Sequence, residues 1–189
     1  MTTATQILRK EHDAILRMLE ATEEVARLLI RGQNVAPHTL DGLLQFFRLF
    51  ADRCHHGKEE ELLFPRLEEK GLPRVGGPTS VMLMEHEQGR ALLRQMADAA
   101  EDYARGAVKA GPRWADAAFE YLDLLRNHID KENNVLFMMA ERLLSDTEQQ
   151  ELAAGFEKIE EEKMGAGTHE RLHALMENLI AEISAARQS

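Results

Sequence analysis

The sequence is poor in the residues that build disulfide-stapled or strand-rich folds. Its 189 residues include one cysteine, Cys54, and five prolines, and aromatic residues make up 5% of the chain. A single cysteine cannot form an internal disulfide, which agrees with a reducing compartment. The prolines and the twelve glycines are concentrated at a few breaks, and this pattern favours long helices over many short strands. We therefore predict an all-α fold.

Two further absences exclude classes of function. The net charge is −10, and the basic residues alternate with acidic ones along the predicted helix faces instead of forming a basic block. A nucleic-acid partner is therefore not expected. No apolar run is long enough to span a bilayer, and no apolar segment precedes the first charges at the N-terminus. We expect a soluble, cytoplasmic protein with no membrane partner.

Apolar residues that recur at steps of three and four predict four long helices. These cover about residues 5–31, 37–71, 79–105 and 112–144. Pro65 should kink the second helix or end its regular part, because proline cannot donate a helical hydrogen bond. The breaks between the helices are short, as in an up-down-up-down four-helix bundle.

The chain is long enough for one domain with a proper core and too short for two ordinary domains. We predict a single domain over residues 1–189, with the core bundle at 5–144. A C-terminal helical extension at 147–187 should contain two helices, 147–164 and 168–187, separated by a glycine-rich break. These two helices are expected to cap or flank the bundle.

An internal repeat is the most informative feature of the sequence. The segments that begin at His55 and at His128 both read H-x-x-K-E-x-x-x-L-F. An earlier histidine precedes each segment, His12 by 43 residues and His86 by 42 residues. Each half of the repeat therefore supplies one histidine and then an H-x-x-x-E pair.

The glutamates of the repeat complete two paired sets of candidate metal ligands. Glu59 follows His55 by four residues, and Glu132 follows His128 by four, so each pair shares one face of its helix. Four histidines and two glutamates in one core would be costly as bare polar groups, because buried carboxylates need a partner or a metal to stay ionised. A dimetal centre removes that cost. Imidazoles and carboxylates without thiolates suit iron better than a closed zinc site, and manganese or mixed occupancy stays open.

These motifs resemble the four signatures of the hemerythrin-like (HHE cation-binding) family over about residues 5–144. The signatures are E-H-D at 11–13, H-H-G-K-E-E-E-L-L-F-P from 55, E-H-E at 85–87 and H-I-D-K-E-N-N-V-L-F from 128. The resemblance implies two non-haem iron ions with carboxylate bridges and a bridging solvent oxygen. The implied ligands are His12 and His55 for one ion, His86 and His128 for the other, and Glu59 and Glu132 as bridges.

The chain departs from oxygen-carrying hemerythrins at two positions. Those carriers have a fifth histidine one turn after the ligand of the third helix, where this chain has Arg90. Their last carboxylate is an aspartate five residues after its histidine, whereas this chain has Glu132 at plus four and Asn133 at plus five. Fewer histidines leave more open coordination, which favours reactions with peroxide or other small oxidants over reversible oxygen carriage.

The second helix contains two His/Glu pairs that could bind the metal. His56 and Glu60 have the same spacing as His55 and Glu59. Alignment of the two halves of the repeat selects His55 and Glu59. In a regular α-helix, His56 lies about 100° around the axis from His55. His56 and Glu60 are therefore reserves, as additional ligands or as residues that orient a ligand.

His169 and His173 form another pair four residues apart, at the start of the last helix. Because Arg90 leaves the second ion one histidine short, either histidine could reach that ion or gate it. We expect the C-terminal helices to control access to it.

The leading interpretation is a non-haem di-iron protein that binds or reacts with oxygen, nitric oxide or peroxide, in oxidative or nitrosative stress or in iron handling. As an enzyme, such a protein would decompose peroxide or carry out a related oxidation. One alternative is an oxygen or iron sensor whose helices rearrange with ligand or metal occupancy. The other alternative is a helical interaction module without metal. The sequence leaves the oligomeric state open.

Overall fold

A computed structural model describes residues 2–165 and 167–186, which form six helices joined by short turns. The helices are α1 (Ala4–Ile30), α2 (37–69), α3 (Pro78–Ala104), α4 (110–143), α5 (Asp146–Met164) and α6 (Thr168–Ala186). No strand occurs in this part of the chain, so the predicted all-α class is confirmed. Ala166 and Arg187, which belong to the predicted glycine-rich break and last helix, lie outside the described residues.

Side chains just ahead of α1 and α5 determine where these helices begin. The Thr3 hydroxyl accepts the backbone N–H of Gln6, and the Gln6 side chain accepts the N–H of Thr3. Ser145 and Glu148 form the same reciprocal pair ahead of α5. Such capping boxes satisfy N–H groups that have no partner inside the helix. Both helices therefore begin one residue earlier than the apolar pattern predicts.

Helices α2 and α4 both contain π-helical segments, and Glu59–Leu63 of α2 and Glu132–Leu136 of α4 lie at matching positions of the internal repeat. The π-helical segments are Phe47–His56 and Glu59–Leu63 in α2 and Glu132–Leu136 in α4. The N–H of Phe64 donates to the carbonyl of Glu59, five residues earlier, and Phe137 donates to Glu132 in the same way. Turns of this kind are rare in proteins as a whole, and many of those that do occur lie at functional sites.

Pro65 lies directly after the π-helical turn Glu59–Leu63, at the start of the α-helical segment Phe64–Glu69. A proline is tolerated in the first turn of a helical segment, where its missing N–H has the smallest effect. The second helix therefore does not end at Pro65 but continues to Glu69. The same π-helical turn occurs in α4, where Met138 stands in place of the proline, so the proline is not needed to form it.

Two hydrophobic clusters hold the helices together, and the C-terminal helices take part in both. The larger cluster contains residues of α1 to α4 and, from α6, Leu172, Met176, Leu179 and Ile183. The smaller cluster contains Leu8, Phe64 and Phe137 and, from α5, Leu152 and Phe156. The extension is therefore packed into the hydrophobic core. None of the described helices is both long and apolar enough to cross a membrane.

Candidate metal centre

Six predicted ligands from α1 to α4 converge in the interior of the protein. Each is at most 1% exposed: His12, His55, Glu59, His86, His128 and Glu132. Along each helix these residues lie between residues of the smaller and of the larger hydrophobic cluster, as His12 lies between Leu8 and Ile15 on α1. The polar site is thus sealed by apolar side chains at both ends.

One group of candidate ligands contains His12, His55, Glu59 and Glu132. One ligand atom from each residue lies within 4.8 Å of the others. His12 Nε2 is 3.1 Å from Glu132 Oε2, and His55 Nε2 is 3.7 Å from Glu59 Oε1. Two imidazoles and two carboxylates therefore face a common point.

A second group contains His56, Glu59, His86 and His128, again with ligand atoms within 4.8 Å of one another. His86 Nε2 is 3.1 Å from His128 Nε2 and 3.6 Å from Glu59 Oε2. This group therefore includes His56, one of the two reserves in α2, in addition to three predicted ligands.

Each of the two central carboxylates faces both groups. Glu59 presents Oε1 to His55 and Oε2 to His86. Glu132 presents Oε2 to His12, and its Oε1 lies 3.3 Å from His128 Nε2. Carboxylates placed in this way can bridge two ions, as in other helical bundles with dimetal centres.

The inward-facing atoms fit a cation because nitrogen and oxygen donors are buried close together there without hydrogen bonds. His12 Nε2, His55 Nε2 and both carboxylate oxygens of Glu59 and Glu132 are buried without a hydrogen-bond partner among the described residues. Most buried polar atoms in proteins have such a partner. Neutral imidazole nitrogens and carboxylate oxygens are the donors that iron, manganese and zinc accept. The residues present therefore fit a pair of metal ions.

The outer nitrogen of His55 is held by a buried ion pair. Glu11 Oε2 is 2.8 Å from His55 Nδ1, and the Lys58 ammonium donates both to Glu11 and to Glu160 of α5. Glu11 is 5% exposed and Lys58 is 0% exposed. Burial raises the pKa of Glu11, but His55 and Lys58 outweigh this effect and lower it to about 2. Glu11 is therefore an ionised acceptor that orients the imidazole.

The second half of the repeat contains the same arrangement nearer to solvent. Glu85 Oε2 is 2.9 Å from His128 Nδ1, and Lys131 donates to Glu85. The Lys131 side chain is 39% exposed. The sequence interpretation assigned no role to these glutamates and lysines, although E-H and H-x-x-K-E occur in both halves. That repetition was the signal that could have identified them.

The other two histidines are oriented by the residue that follows each central glutamate. His86 Nδ1 is 2.7 Å from Glu60 Oε1, and His12 Nδ1 is 2.9 Å from Asn133 Oδ1. Each histidine thus contacts the opposite half of the repeat. The phenylalanine of each motif packs across in the same way, with the Phe137 ring 5.4 Å from that of His12. The whole H-x-x-K-E-x-x-x-L-F motif therefore builds the pocket and its surroundings.

These outer contacts determine which ring nitrogen faces the pocket. An ionised carboxylate or an amide oxygen can only accept, so the hydrogen is on Nδ1 and the lone pair of Nε2 points inward. Burial lowers the pKa of His55 to about 4 and that of His86 to about 3. Both imidazoles are therefore neutral at physiological pH, which is the form that binds metals.

The two central carboxylates perturb each other and their neighbours. Burial and the nearby Glu132 carboxylate raise the pKa of Glu59 well above its usual value. Burial lowers the pKa of His128, but Glu132 and Glu85 outweigh it and raise the pKa to about 9. Two adjacent buried carboxylates favour uptake of positive charge, as protons or as metal ions.

Arg90 contacts acidic side chains on the side of the second group. Its guanidinium donates to Asp52 Oδ1 at 2.7 Å, to Glu60 Oε1 at 2.6 Å and to Glu87 Oε1 at 2.6 Å. Glu60, a reserve ligand in the sequence interpretation, therefore accepts from both Arg90 and His86. Arg90 acts on the ligands through these carboxylates.

His169 and His173 lie outside both ligand groups. Their rings are each 5.6 Å from the ring of Phe50, and His169 forms a separate group with Cys54 and Glu160. Helices α5 and α6 pack along α1 and α2, so the two histidines are on the α2 side of the protein. Within residues 146–165 and 167–186, Glu160 accepts from Lys58 and so connects the extension to the His55 side of the site.

A helical fold that encloses histidines around shared carboxylates defines a cation-binding class of protein. The sequence matches the hemerythrin HHE cation-binding domain over residues 3–140, and the chain belongs to that family. It is 29% identical over 164 residues to an uncharacterized protein of Mycobacterium tuberculosis, a match that covers 86% of this chain and 63% of that protein. It is 28% identical over 129 residues to the iron-sulfur cluster repair protein YtfE of Escherichia coli, covering 62% and 58% respectively. The chain thus spans about three fifths of the length of the curated relatives it matches.

Proposed function

We propose that this chain holds a pair of non-haem iron ions in the interior formed by the four helices α1 to α4. We further propose that this pair of ions binds or reacts with oxygen, nitric oxide or peroxide. The observation that carries the proposal is the set of buried nitrogen and oxygen atoms without partners on His12, His55, Glu59 and Glu132. The proposal includes a single domain and an up-down-up-down order of the four long helices. It also includes a cytoplasmic location and no nucleic-acid or membrane partner.

The proposed ligands are those of the two groups. His12 and His55 would hold one ion, His86 and His128 the other, and Glu59 and Glu132 would bridge them. The absence of thiolates from both groups supports iron over structural zinc. Relatives named iron-sulfur cluster repair proteins also support iron, and they are compatible with a role in iron handling or in nitrosative stress.

Iron in this pocket would supply Lewis acidity and electron exchange with small oxidants. The protein supplies orientation and exclusion of water. Glu11 and Glu85 hold the Nδ1 hydrogens of His55 and His128, so Nε2 of each ring stays directed inward. A metal ion at His128 would replace the proton that Glu132 and Glu85 favour on this imidazole. The ring of Phe137 covers that of His12.

The burial of the metal-binding side chains limits the size of the molecule that can bind or react at the proposed ions. All six are at most 1% exposed, so only molecules of a few atoms can reach the proposed ions without unfolding the bundle. Oxygen, nitric oxide and hydrogen peroxide meet that condition, and larger organic substrates do not.

An oxygen or iron sensor is the second candidate function, and one chain of contacts favours it. Glu160 of α5 binds Lys58, Lys58 binds Glu11, and Glu11 binds His55. A change at His55 can therefore reach the C-terminal helices through three polar contacts. Hydrogen exchange of α5 with and without iron tests this coupling, and equal protection in the two states would argue against a sensor.

The proposal is tested by reconstituting the protein with ferrous iron under anaerobic conditions and measuring bound iron per chain. We expect about two irons for the wild type, severe loss in His55→Ala and Glu59→Ala, and no loss in His38→Ala. His38 is the matched control because its side chain is 71% exposed on the surface. A wild-type protein without bound iron would contradict the proposal and would favour an interaction module.

Reaction with small molecules separates the remaining functions. The reconstituted protein is mixed with hydrogen peroxide, azide and nitric oxide while its absorption spectrum is recorded. Turnover of peroxide that is lost in His55→Ala identifies an enzyme, whereas ligand-dependent spectral changes without turnover identify a binding protein or sensor.

A further inference from the structure

A cavity of about 280 Å³ lies where the C-terminal extension covers α2. None of the six proposed iron ligands lines this cavity. Cys54 of α2, Glu160 of α5 and His169 of α6 do, together with three further glutamates, Glu157, Glu161 and Glu170. A cleft with so many carboxylates raises the local concentration of cations.

Three metal-binding side chains converge at this cavity. Cys54, Glu160 and His169 each place one ligand atom within 4.8 Å of the others. Glu160 Oε2 is 3.8 Å from His169 Nδ1. At a tetrahedral zinc ion, with bonds of about 2.0–2.3 Å, ligand atoms lie roughly 3.5 Å apart. A thiol, a carboxylate and an imidazole can therefore reach one ion here.

The ring nitrogen of His169 that faces Glu160 has no hydrogen bond. Nδ1 of His169 is buried and lacks a partner in the part of the chain that the structure describes, and a separation of 3.8 Å from Glu160 is too long for a hydrogen bond. The other nitrogen, Nε2, is 3.1 Å from Nε2 of His173. When His169 donates its hydrogen from Nε2 to His173, the lone pair of Nδ1 stays available for an ion.

The nearby Lys58 ammonium is compatible with a cation at this point. Lys58 donates to Glu11 and to Oε1 of Glu160, whereas Oε2 of Glu160 faces His169. Glu160 can therefore bind Lys58 and an ion at the same time. The charge of Lys58 is balanced by Glu11, and a divalent ion would be balanced by Glu160 and the thiolate of Cys54. Binding displaces the thiol proton, which passes to solvent.

The internal repeat shows what the extension contributes to this cluster. His55 corresponds to His128, so Cys54 corresponds to Asn127. Asn127 is exposed, and its side chain donates to the backbone carbonyl of Asp123 at 2.7 Å. The three donors therefore meet because α5 and α6 cover the first half of the repeat.

From these contacts we infer that Cys54, Glu160 and His169 form a further metal site, outside the dimetal centre, for a divalent ion that binds thiolate. Zinc suits this donor set best, with water from the cavity as the fourth ligand. His173 positions the imidazole of His169. The ion would fasten both helices of the extension to α2. Because its ligands are distinct from the six in the bundle, the site does not depend on the proposed di-iron function.

The test uses cobalt(II), which replaces zinc and gives a sulfur-to-metal charge-transfer band when it binds a thiolate. Cobalt is added anaerobically to the full chain after reconstitution with ferrous iron, and zinc is then added to displace it. Cys54 is the one cysteine of the chain, and the dimetal ligands contain no sulfur. The band therefore reports on Cys54 alone. Circular dichroism confirms that each variant is folded.

We expect one thiolate-bound cobalt per chain in the wild type, with a band that zinc abolishes. Cys54→Ser should lack the band. His169→Ala should weaken cobalt binding by more than about 100-fold, since even the outer partners of metal ligands contribute about 10–100-fold. Glu157→Gln is the matched control, because Glu157 lines the same cavity but lies outside the ligand group, and it should retain the band and the affinity.

Three results would overturn the inference. The first is a wild type without the band, and the second is unchanged cobalt affinity in His169→Ala. The third is equal weakening in Glu157→Gln and His169→Ala, because the charge of the cavity and not the ligand set would then hold cobalt. Iron measured in the same samples separates the two proposals. The band without bound iron would overturn the proposed function alone, and bound iron without the band would overturn this inference alone.

His173→Ala tests the positioning role separately. It should weaken cobalt binding by about 10-fold while the band is retained. His173→Gln should restore part of the affinity, because its side-chain oxygen can accept from His169. Unchanged affinity in His173→Ala would overturn the role of His173.

Discussion

The two halves of the repeat contain the same ion pair at different depths, and this difference predicts unequal effects of equivalent substitutions. Glu11→Gln removes the charge that pairs with Lys58, which is 0% exposed. Glu85→Gln removes the charge that pairs with Lys131, whose side chain is 39% exposed. Both substitutions keep the shape of the side chain, so each acts as the control of the other.

The magnitudes follow from burial. Removing one partner of a buried ion pair costs about 3–5 kcal/mol, because the other charge stays buried without compensation. Glu160 continues to pair with Lys58, so we expect the lower end, about 3 kcal/mol, for Glu11→Gln. Partly exposed pairs contribute about 1 kcal/mol or less. With a urea m value of about 2 kcal/mol/M, the unfolding midpoint should fall by about 1.5 M in Glu11→Gln and by about 0.5 M in Glu85→Gln.

The assay is urea unfolding of chelator-treated protein at pH 7, which separates the free energy of unfolding from metal binding. The pKa of Glu11 is about 2 in the folded protein against an ordinary value of 4.5. Its stabilisation is therefore complete above pH 4.5 and is lost as the pH falls towards 2. Equal midpoint shifts in the two variants, or a larger shift in Glu85→Gln, would refute the reasoning from burial.

Three further predictions concern the thiol, the extension and the metal. Burial raises the pKa of Cys54 to about 12. The thiol of the folded protein should therefore react with Ellman's reagent at pH 8 far more slowly than that of the urea-unfolded protein. Rapid labelling of the folded state would contradict the buried placement. Phe156 of α5 is 1% exposed in the smaller cluster, so Phe156→Ala should cost about 3–5 kcal/mol in chemical unfolding. The control Val108→Ala, at a residue 96% exposed, should be nearly neutral, and equal effects would show that α5 is not part of the core. Chelation of the metal should lower the melting temperature of the protein. Free metal at about 1,000 times its Kd stabilises the folded state by about 4 kcal/mol, which corresponds to roughly 10 °C for a chain of this size. An unchanged melting temperature would exclude a buried metal site in the folded protein.

Much of the helical architecture and of the candidate site could be predicted because both depend on local spacing. Apolar periodicity located the long helices to within a few residues, and the repeat selected His55 and Glu59 together with His128 and Glu132. The structure brings these four residues together with His12 and His86. Their role as metal ligands stays a prediction.

The position of His56 could not be predicted, because the angle of about 100° between neighbouring residues holds only for a regular α-helix. His55 and His56 lie at the end of a π-helical segment, where more residues per turn reduce that angle. Periodicity in the sequence does not reveal such a turn.

The position of the C-terminal histidines depends on tertiary packing. The sequence shows that His169 and His173 share a helix face but not which helix that face meets. The apolar residues of α6 pack in the larger cluster, and this packing places the histidines beside Phe50. A helix that follows a glycine-rich break has no sequence signal for its direction.

The central claim is a pair of iron ions inside the bundle, and anomalous X-ray scattering at the iron absorption edge tests it most directly. A crystal of the iron-reconstituted protein should show two anomalous peaks in the buried pocket, one beside His12 and His55 and the other beside His86 and His128, with Glu59 and Glu132 between them. Data collected below the edge serve as the control for iron. Absence of both peaks from the pocket, in crystals of a folded protein that has been exposed to ferrous iron, would contradict the account.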